Sequence, residues 1–410
     1  MIWLMIGYMW MEIHRPFEIW TLLARYHVER VYVILTIVYW LRSGPALPRN
    51  RLHWRFASFV LVMLLSWLTS PCGSAGDGTV EYYLKYVVFY VLLVTSVRNE
   101  RDLRTIIAGY LAVMALLMVH SLREFYCGNA LWEQGLLRLV PVGHSYDFND
   151  FAGLIVCSLP FAWVLWRQAS GWRQRAPVCG YFALAAYCTV LTGSRMGFAG
   201  MVLASLLGCL ASPRRWRLLA LYPVALVAAW AILPEGAKDR YTTLIDPEHV
   251  SAGGTTAENF RYRGFEEGLK MFEQRPLAGF GPNSYGVIGH HGAMAHNLYG
   301  QLLGELGIAG AVAFGAILFG VAGNSLEALR ILRRMGNPDD LLPRHTIAAA
   351  TATFVLLVIM SWGFNFLFWY VWLWFGSFQV IALRCLERQA ESAKGGGLSP
   401  LEPETGKLGS

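Results

Sequence analysis

The chain has 410 residues, of which 55% are hydrophobic and only 15% charged, with 16 tryptophans and a formal charge of +7. That composition, with its positive mean hydropathy, excludes a soluble globular domain and points to an all-α, polytopic membrane protein. The positive charge does not indicate nucleic acid, because Lys and Arg stand in short clusters between apolar segments, where they act as topology signals.

Hydropathy predicts about twelve spans, near residues 1–13, 28–41, 54–69, 80–97, 103–124, 150–167, 176–192, 196–211, 216–233, 297–323, 344–363 and 365–385. The first two are shorter than a perpendicular crossing needs. The chain begins directly with an apolar segment, with no basic region before it and no small-residue cleavage site, which argues against a removed signal peptide. This divides the chain into helices 1–9 over 1–233, a long loop over 234–296, helices 10–12 over 297–390 and a Gly-, Pro- and Glu-containing disordered tail over 391–410.

An even number of spans puts both termini on one side. The loops sharing the C-terminal side carry Arg42, Arg49, Arg51, Arg55, Arg98, Arg101, Arg104, Arg167, Arg173, Arg175, Arg214, Arg215, Arg217, Arg330, Arg333, Arg334 and Arg344. Opposing short loops carry fewer, chiefly Arg15, Arg25, Arg30, Arg123, Arg138 and Arg195. Both termini are therefore expected in the cytoplasm and the long loop outside. Of the cysteines, Cys157, Cys179, Cys188, Cys209 and Cys385 fall in or at the ends of spans, as small hydrophobes do. Cys72 and Cys127 fall in predicted outer loops, where thiols can oxidise, but spacing does not pair them.

Asp147 and Asp150 precede an apolar span, with acceptor binding and helix capping both open to them. Farther on, Arg195 stands between two apolar segments in TGSRMGF. Within the long loop, Phe265, Leu269 and Phe272 recur at helical spacing among Glu266, Glu267, Lys270 and Glu273, which predicts an amphipathic helix. Pro276 and the glycines at 279 and 281 stop it and turn the chain back. At its head stand Arg261 and Arg263.

His296 lies at the junction between the glycine-rich turn and the hydrophobic run from Leu298. An imidazole there is wet on one side and shielded on the other, as a general base near neutral pH requires. Beyond it Asn297, Gln301 and Glu305 recur every four residues, with Gly300 and Gly304 at the same interval. Polar groups inside a span face the bundle interior, and small residues let helices approach closely, so this helix either lines a cavity or ties helices together. His290 and His291 invite a zinc reading with His296, which the lack of a neighbouring carboxylate or thiolate argues against. No Asp-x-Asp and no phosphate-binding G-x-x-x-x-G-K-[ST] is present.

Taken together, TGSR at the start of a span, the Arg four residues before an aromatic in a helix that ends RPLAGFGPNSYG, and the run HNLYGQLLGELGIAG resemble the O-antigen ligase and O-antigen polymerase superfamily, most closely an O-antigen ligase. The resemblance covers roughly residues 140 to 325 and includes HSYDFNDFAGLIVCSLP. It implies a GT-C-like helical bundle in the bacterial inner membrane, with short helices in its periplasmic loop. The implied activity is a metal-independent, cofactor-free and inverting glycosyltransferase that moves a saccharide from undecaprenyl pyrophosphate to lipid A-core at the periplasmic face. Arg195 and Arg261 match the family's pyrophosphate-binding arginines and His296 its catalytic histidine. Arg263, Asn149 and Asn297 are the further candidates for substrate binding.

The chemistry asks for these residue types on its own account. A leaving lipid pyrophosphate gathers negative charge that guanidinium forks stabilise with paired hydrogen bonds, and an acceptor hydroxyl needs a base. Two alternatives share these features in part: a polymerase that uses a second lipid-linked saccharide as acceptor, and a transporter of anionic lipid-linked saccharides, which would need arginines but no base.

Overall fold

The computed structural model describes residues 1–44, 46–133, 136–143, 147–244, 246, 257–288 and 295–395, together with no ligand or partner chain. Among these residues the chain is almost wholly helical. Its helices are α1 (Ile2–Ile13), α2 (Pro16–Ile19), α3 (Thr21–Arg25), α4 (Val28–Arg42), α5 (Arg51–Leu68), α6 (Asp77–Ser96), α7 (Glu100–Tyr126), α8 (Phe148–Gln168) and α9 (Trp172–Thr192). They continue as α10 (Arg195–Ala211), α11 (Arg215–Ile232), α12 (Glu235–Thr242), α13 (Ala257–Gln274), α14 (Tyr285–Ile288), α15 (Leu298–Arg334), α16 (Leu342–Met360) and α17 (Val371–Gly395). The all-α expectation needs one addition: a short antiparallel hairpin, β1 (Leu131–Glu133) and β2 (Leu136–Arg138), in which Leu131 faces Arg138.

Among the described residues five helices, α7, α8, α11, α15 and α16, are long and apolar enough to cross a membrane; α1 and α10 are apolar but shorter. Local signals set several of their ends. Asn50, Asn99, Asp147, Ser194 and Asn297 each accept a backbone N–H from the first turn that follows, which relieves the unpaired donors of a helix N-terminus. Asp147 is thus a cap, one of the two readings open to it.

At the centre stands α17, buried on every side from Val371 to Ala382. Its Phe375 stacks on Phe161 at 5.4 Å and its Trp372 meets Phe314 edge-on at 4.9 Å. A helix apolar all round belongs inside a bundle. Because lipid is as apolar as these side chains, tight packing rather than exclusion from water holds it there. By contrast, α11 has no buried residue and leans on α10 alone among its principal contacts.

The interhelical loops gather into two groups. In one, Arg388 donates to Arg98 O at 2.7 Å and Gln168 to Asp340 O at 3.2 Å. In the other, Arg275 donates to Thr69 O at 3.0 Å, Ser70 to Phe280 O at 2.6 Å, and Leu139 N to Leu191 O at 2.9 Å. The candidate site lies in this second group.

The helices depart from the hydropathy reading in places. The last span starts at Val371, not 365, because Gly363 and the buried rings of Phe364 and Phe366 form a non-helical turn that packs against Gly153. That helix also runs on to Gly395, past the expected start of the tail at 391; residues 396–410 lie outside those described. The span expected over 297–323 is broken at Gly307, whose φ of 62° and ψ of −159° only glycine adopts readily.

That break is stitched by the loop before it. Ile308 N donates to Pro276 O at 2.8 Å, and Ala309 N to Leu277 O at 3.2 Å. In return Phe280 N donates to Gly304 O at 3.0 Å, and Gly281 N to Glu305 O at 2.9 Å. The freed backbone groups are therefore paired, as an interrupted helix at membrane depth requires. Ser66 Oγ of α5 adds hydrogen bonds to Glu305 O and Ala278 O.

Candidate active site

Arg195 opens α10 directly after its cap, Ser194. The side chain is buried, with Nη1 donating to Thr243 Oγ1 at 2.9 Å. Ser194 Oγ donates to Asn149 Oδ1 at 2.8 Å, and Arg240 Nε of α12 donates to Gly193 O at 2.6 Å. Tyr241 stacks on Phe198 at 4.2 Å. The turn Gly193–Ser194–Arg195 is thus held between the start of α8 and the end of α12.

Two more guanidiniums stand beside Arg195. Arg138, at the end of β2, is fully buried; its Nε donates to Glu133 O at 3.2 Å and its plane lies over Phe148 at 4.0 Å. Burial pushes Arg138 below the usual arginine range, Glu133 opposes this, and Arg195 pushes it down further. Arg240 is pushed down to about 9, first by burial and then by the charges of Arg138 and Arg195. Three clustered cations with little water raise one another's cost, and an anion between them would lower it. Sequence reading counted Arg138 only as a loop charge and did not single out Arg240. What singles them out is the hairpin and the helix that bring them to Arg195, and neither shows in hydropathy.

Arg261 is half-buried on α13, whereas Arg263 is exposed. A Cβ placed on Gly363 would lie 2.9 Å from Arg261 Nε and 2.6 Å from Met196 Cγ, so Arg261 and the residue after Arg195 meet across that glycine. Arg261 thus faces the protein, whereas Arg263 faces outward.

His296 is exposed, with a φ of 42°, an uncommon conformation for a residue with a β-carbon. Its neighbours fix it. The backbone of Gly264, three residues after Arg261, packs against Ala295 O and Asn297 Cβ, leaving no room for a side chain. Asn297 is fully buried: its carbonyl oxygen accepts from Tyr299 N and Gly300 N at 3.0 Å each, and its amide donates to Trp362 O at 3.4 Å. Leu298 N donates to Ser361 O at 3.0 Å. The turn 361–363, which the sequence reading did not single out, therefore touches Arg261, Met196 and the two residues after His296.

The glycines of α13 and α15 form one seam. Gly268 packs on the backbone of Gly300, Gly300 on Gly264 and Phe265, and Gly304 on Met271 and Gly268. Repeats of small residues four apart let two helices meet backbone to backbone. Gln301 and Glu305 act as ties: Glu305 accepts from Gln301 Nε2 and from Tyr285 N, each at 3.1 Å, anchoring the loop beneath His296. Tyr285 Oη completes the link, with hydrogen bonds to Glu267 at 2.9 Å and to Gly264 O at 3.2 Å.

Among the described residues, no three of His, Cys, Asp and Glu come together as a metal site. His290 and His291 lie outside those residues. Cys72 and Cys127 are both thiols.

Arg195, Arg240, Arg261, Arg263, His296 and Asn297 all fall within residues 180–315, which match the family model described as O-antigen ligase. The chain carries an O-antigen ligase family domain. Asn149 and Arg138, which reach the same place from elsewhere in the fold, lie before the matched stretch. A comparison with curated proteins finds no match to the chain.

Proposed function

We propose that this protein is an O-antigen ligase of the bacterial inner membrane, which transfers a saccharide from undecaprenyl pyrophosphate to lipid A-core at the periplasmic face. The family supports O-antigen ligase- or polymerase-type work in general. The observation that carries the finer reading is the contact path that runs from Arg195 through Met196 and Gly363 to Arg261, and from Gly264 to the residues either side of His296. It joins anion-binding groups to an accessible imidazole. A transporter would need the first and not the second.

In the mechanism, the acceptor hydroxyl oxygen attacks the anomeric carbon and His296 takes its proton. The bond from that carbon to the diphosphate oxygen breaks with its electron pair going to the oxygen, where Arg195 and Arg261 meet the charge through forked hydrogen bonds. One displacement inverts the anomeric centre, and the scheme asks for neither metal nor cofactor. Arg263, exposed beside the site, is assigned to approaching substrate, and Asn149 to holding the Ser194 turn within reach of it. Asn297 enters as a positioning residue, since its amide is taken up by the α15 cap and Trp362. On the expected twelve-span arrangement, with both termini in the cytoplasm, this end of the bundle would face outward.

The test is reconstitution of the full-length protein with lipid-linked saccharide and lipid A-core, without added metal or nucleotide. Saccharide joined to lipid A-core supports the ligase. Growth of the lipid-linked chain instead identifies a polymerase, and carrier binding without any new bond favours a transporter.

A further inference from the structure

At the end of the bundle away from the candidate site, a cavity of about 390 Å³ opens between the last turn of α8, the start of α9 and the loop that precedes α16. Trp166, Arg167, Gln168, Ser170, Arg175 and Asp340 line it. Its depth in a membrane follows from the helices that end there. Both α8 and α16 are long and apolar enough to cross a bilayer. The 21 residues of α8 extend about 32 Å, close to the roughly 30 Å of a hydrocarbon core. The cavity at its end therefore lies at the level of the lipid headgroups. Trp172, 75% exposed at the start of α9, is the kind of ring that settles there.

The two guanidiniums of the cavity are held in different ways. Arg175 Nη2 donates to Ala169 O at 3.2 Å, and its guanidinium carbon lies over the Trp166 ring, 5.3 Å from the centroid. A carbonyl dipole and an aromatic face orient it without neutralising it, and among the described residues it forms no ion pair. Arg167 Nη2 meets Asp340 Oδ1 at 3.4 Å, with the Asp340 side chain 84% exposed. A pair so open to water is weak. The backbone of Asp340 has its own hold, because Gln168 Nε2 donates to Asp340 O at 3.2 Å. The carboxylate can therefore swing out while the loop stays, which leaves two guanidiniums free to meet an anion.

Guanidinium forks match phosphate oxygens, and the cavity is far larger than a lone phosphate ion fills. We propose that it seats the phosphate of an anionic phospholipid headgroup, with Arg167 and Arg175 on the phosphate oxygens and Asp340 displaced. A zwitterionic headgroup brings its own cation, which the arginines repel, so the seat selects for net negative charge. The headgroup joins α8 and α9 to the loop before α16. At their other ends α8 and α9 carry Asn149 and the turn into Arg195, where Ser194 Oγ donates to Asn149 Oδ1. A lipid bound here thus ties together, from the opposite end, the two helices that hold that turn. Its binding does not depend on the reaction proposed above.

The unfolding temperature of the full-length protein in detergent, titrated with phosphatidylglycerol, phosphatidylcholine or inorganic phosphate, tests the seat. Phosphatidylglycerol should raise it to a plateau, since a ligand that binds the folded state alone stabilises it; phosphatidylcholine at the same mole fraction should not. Arg175→Gln and Arg167→Gln should each raise the half-saturating lipid concentration by about tenfold or more, the effect of losing a charge-assisted hydrogen bond. Two variants keep the test open if one disturbs folding. Asp340→Asn should act the other way, lowering that concentration by up to about fivefold because the competing carboxylate is gone. An ion pair with only a structural role would give no such gain. Arg330→Gln, an exposed residue paired with Glu327 at the same end of the molecule, should leave the titration unchanged and so rule out a general charge effect. Equal shifts with the two lipids, or a phosphatidylglycerol response unaffected in both Arg175→Gln and Arg167→Gln, overturns the proposal. Inorganic phosphate that reproduces the shift at the same concentration assigns the seat to a free anion and overturns its lipid occupant.

Discussion

The backbone of Gly264 lies directly against the carbonyl oxygen of Ala295, so the helix that carries Arg261 also carries the surface on which His296 rests. Arginine and histidine, far apart in sequence, are registered by a contact too close for any side chain. Gly264→Ala must push the two elements apart, and overpacking of this kind costs about 1–3 kcal/mol. Displacement of a reacting group by an ångström costs about a hundredfold in rate. Transfer should therefore fall steeply while a thermal unfolding scan shows a folded, less stable protein. Transfer at the wild-type rate would show that the seam does not position His296.

Replacing His296 by Ala should reduce transfer by about 10²–10⁴, the usual worth of a general base, with carrier binding kept. Arg195→Lys should be damaging as well, because a point charge cannot reproduce a fork and loss of one preorganised donor costs about a hundred- to a thousandfold. Both are checked by measuring lipid-linked donor binding beside lipopolysaccharide formation for each purified variant. Wild-type transfer should persist in excess chelator; activity lost there and restored by magnesium or manganese would count against the mechanism.

Gly307→Ala should destabilise the protein more than an ordinary helix substitution does. Its φ and ψ are closed to alanine at a cost of about 1–3 kcal/mol, and the new methyl would sit 2.6 Å from Leu277 O. The loop 276–281 would lose its docking point on Gly304, Glu305, Ile308 and Ala309. Protease sensitivity in that loop should rise together with a fall in unfolding temperature. Unchanged protection would mean that the break is not what holds the loop.

A pH effect follows from His14, which is buried in the turn after α1 with Nε2 3.0 Å from His120 Nδ1. Burial, and secondarily His120, push it down from 6.5 to about 4. Between those values the unfolded chain binds the extra proton and the folded one does not, so stability is fully present above pH 6.5 and falls as the pH drops toward 4. Unfolding temperatures compared across that range should show a smaller acid loss for His14→Gln than for wild type. Identical slopes would remove His14 from the acid response.

Sidedness has a native probe. Cys127 is exposed just after α7, on the end of the bundle assigned to the periplasm. A variant retaining only that cysteine should react with a membrane-impermeant thiol reagent in intact spheroplasts. Reaction only after permeabilisation would invert the topology.

Sequence alone determined the membrane class, the presence of long apolar helices and the amphipathic character of α13, and it supplied the three residues on which the proposed mechanism rests. Those features are local: hydropathy, helical period and short motifs act over a few turns of chain. It also marked Gly300 and Gly304 as places of close approach, though not that Gly264 and Gly268 would meet them. Tertiary structure alone decided the rest. Arg138 looked like any loop cation, and Arg240 was not singled out, until a hairpin and a short helix carried them to the turn of Arg195, and only the fold shows that Arg261 meets Gly363. Gly307 reads as one more small residue in an apolar run; it becomes a break because residues 276–281 supply the hydrogen bonds that make breaking affordable. Each depends on which distant backbone arrives alongside, and a pattern confined to one segment carries no record of that.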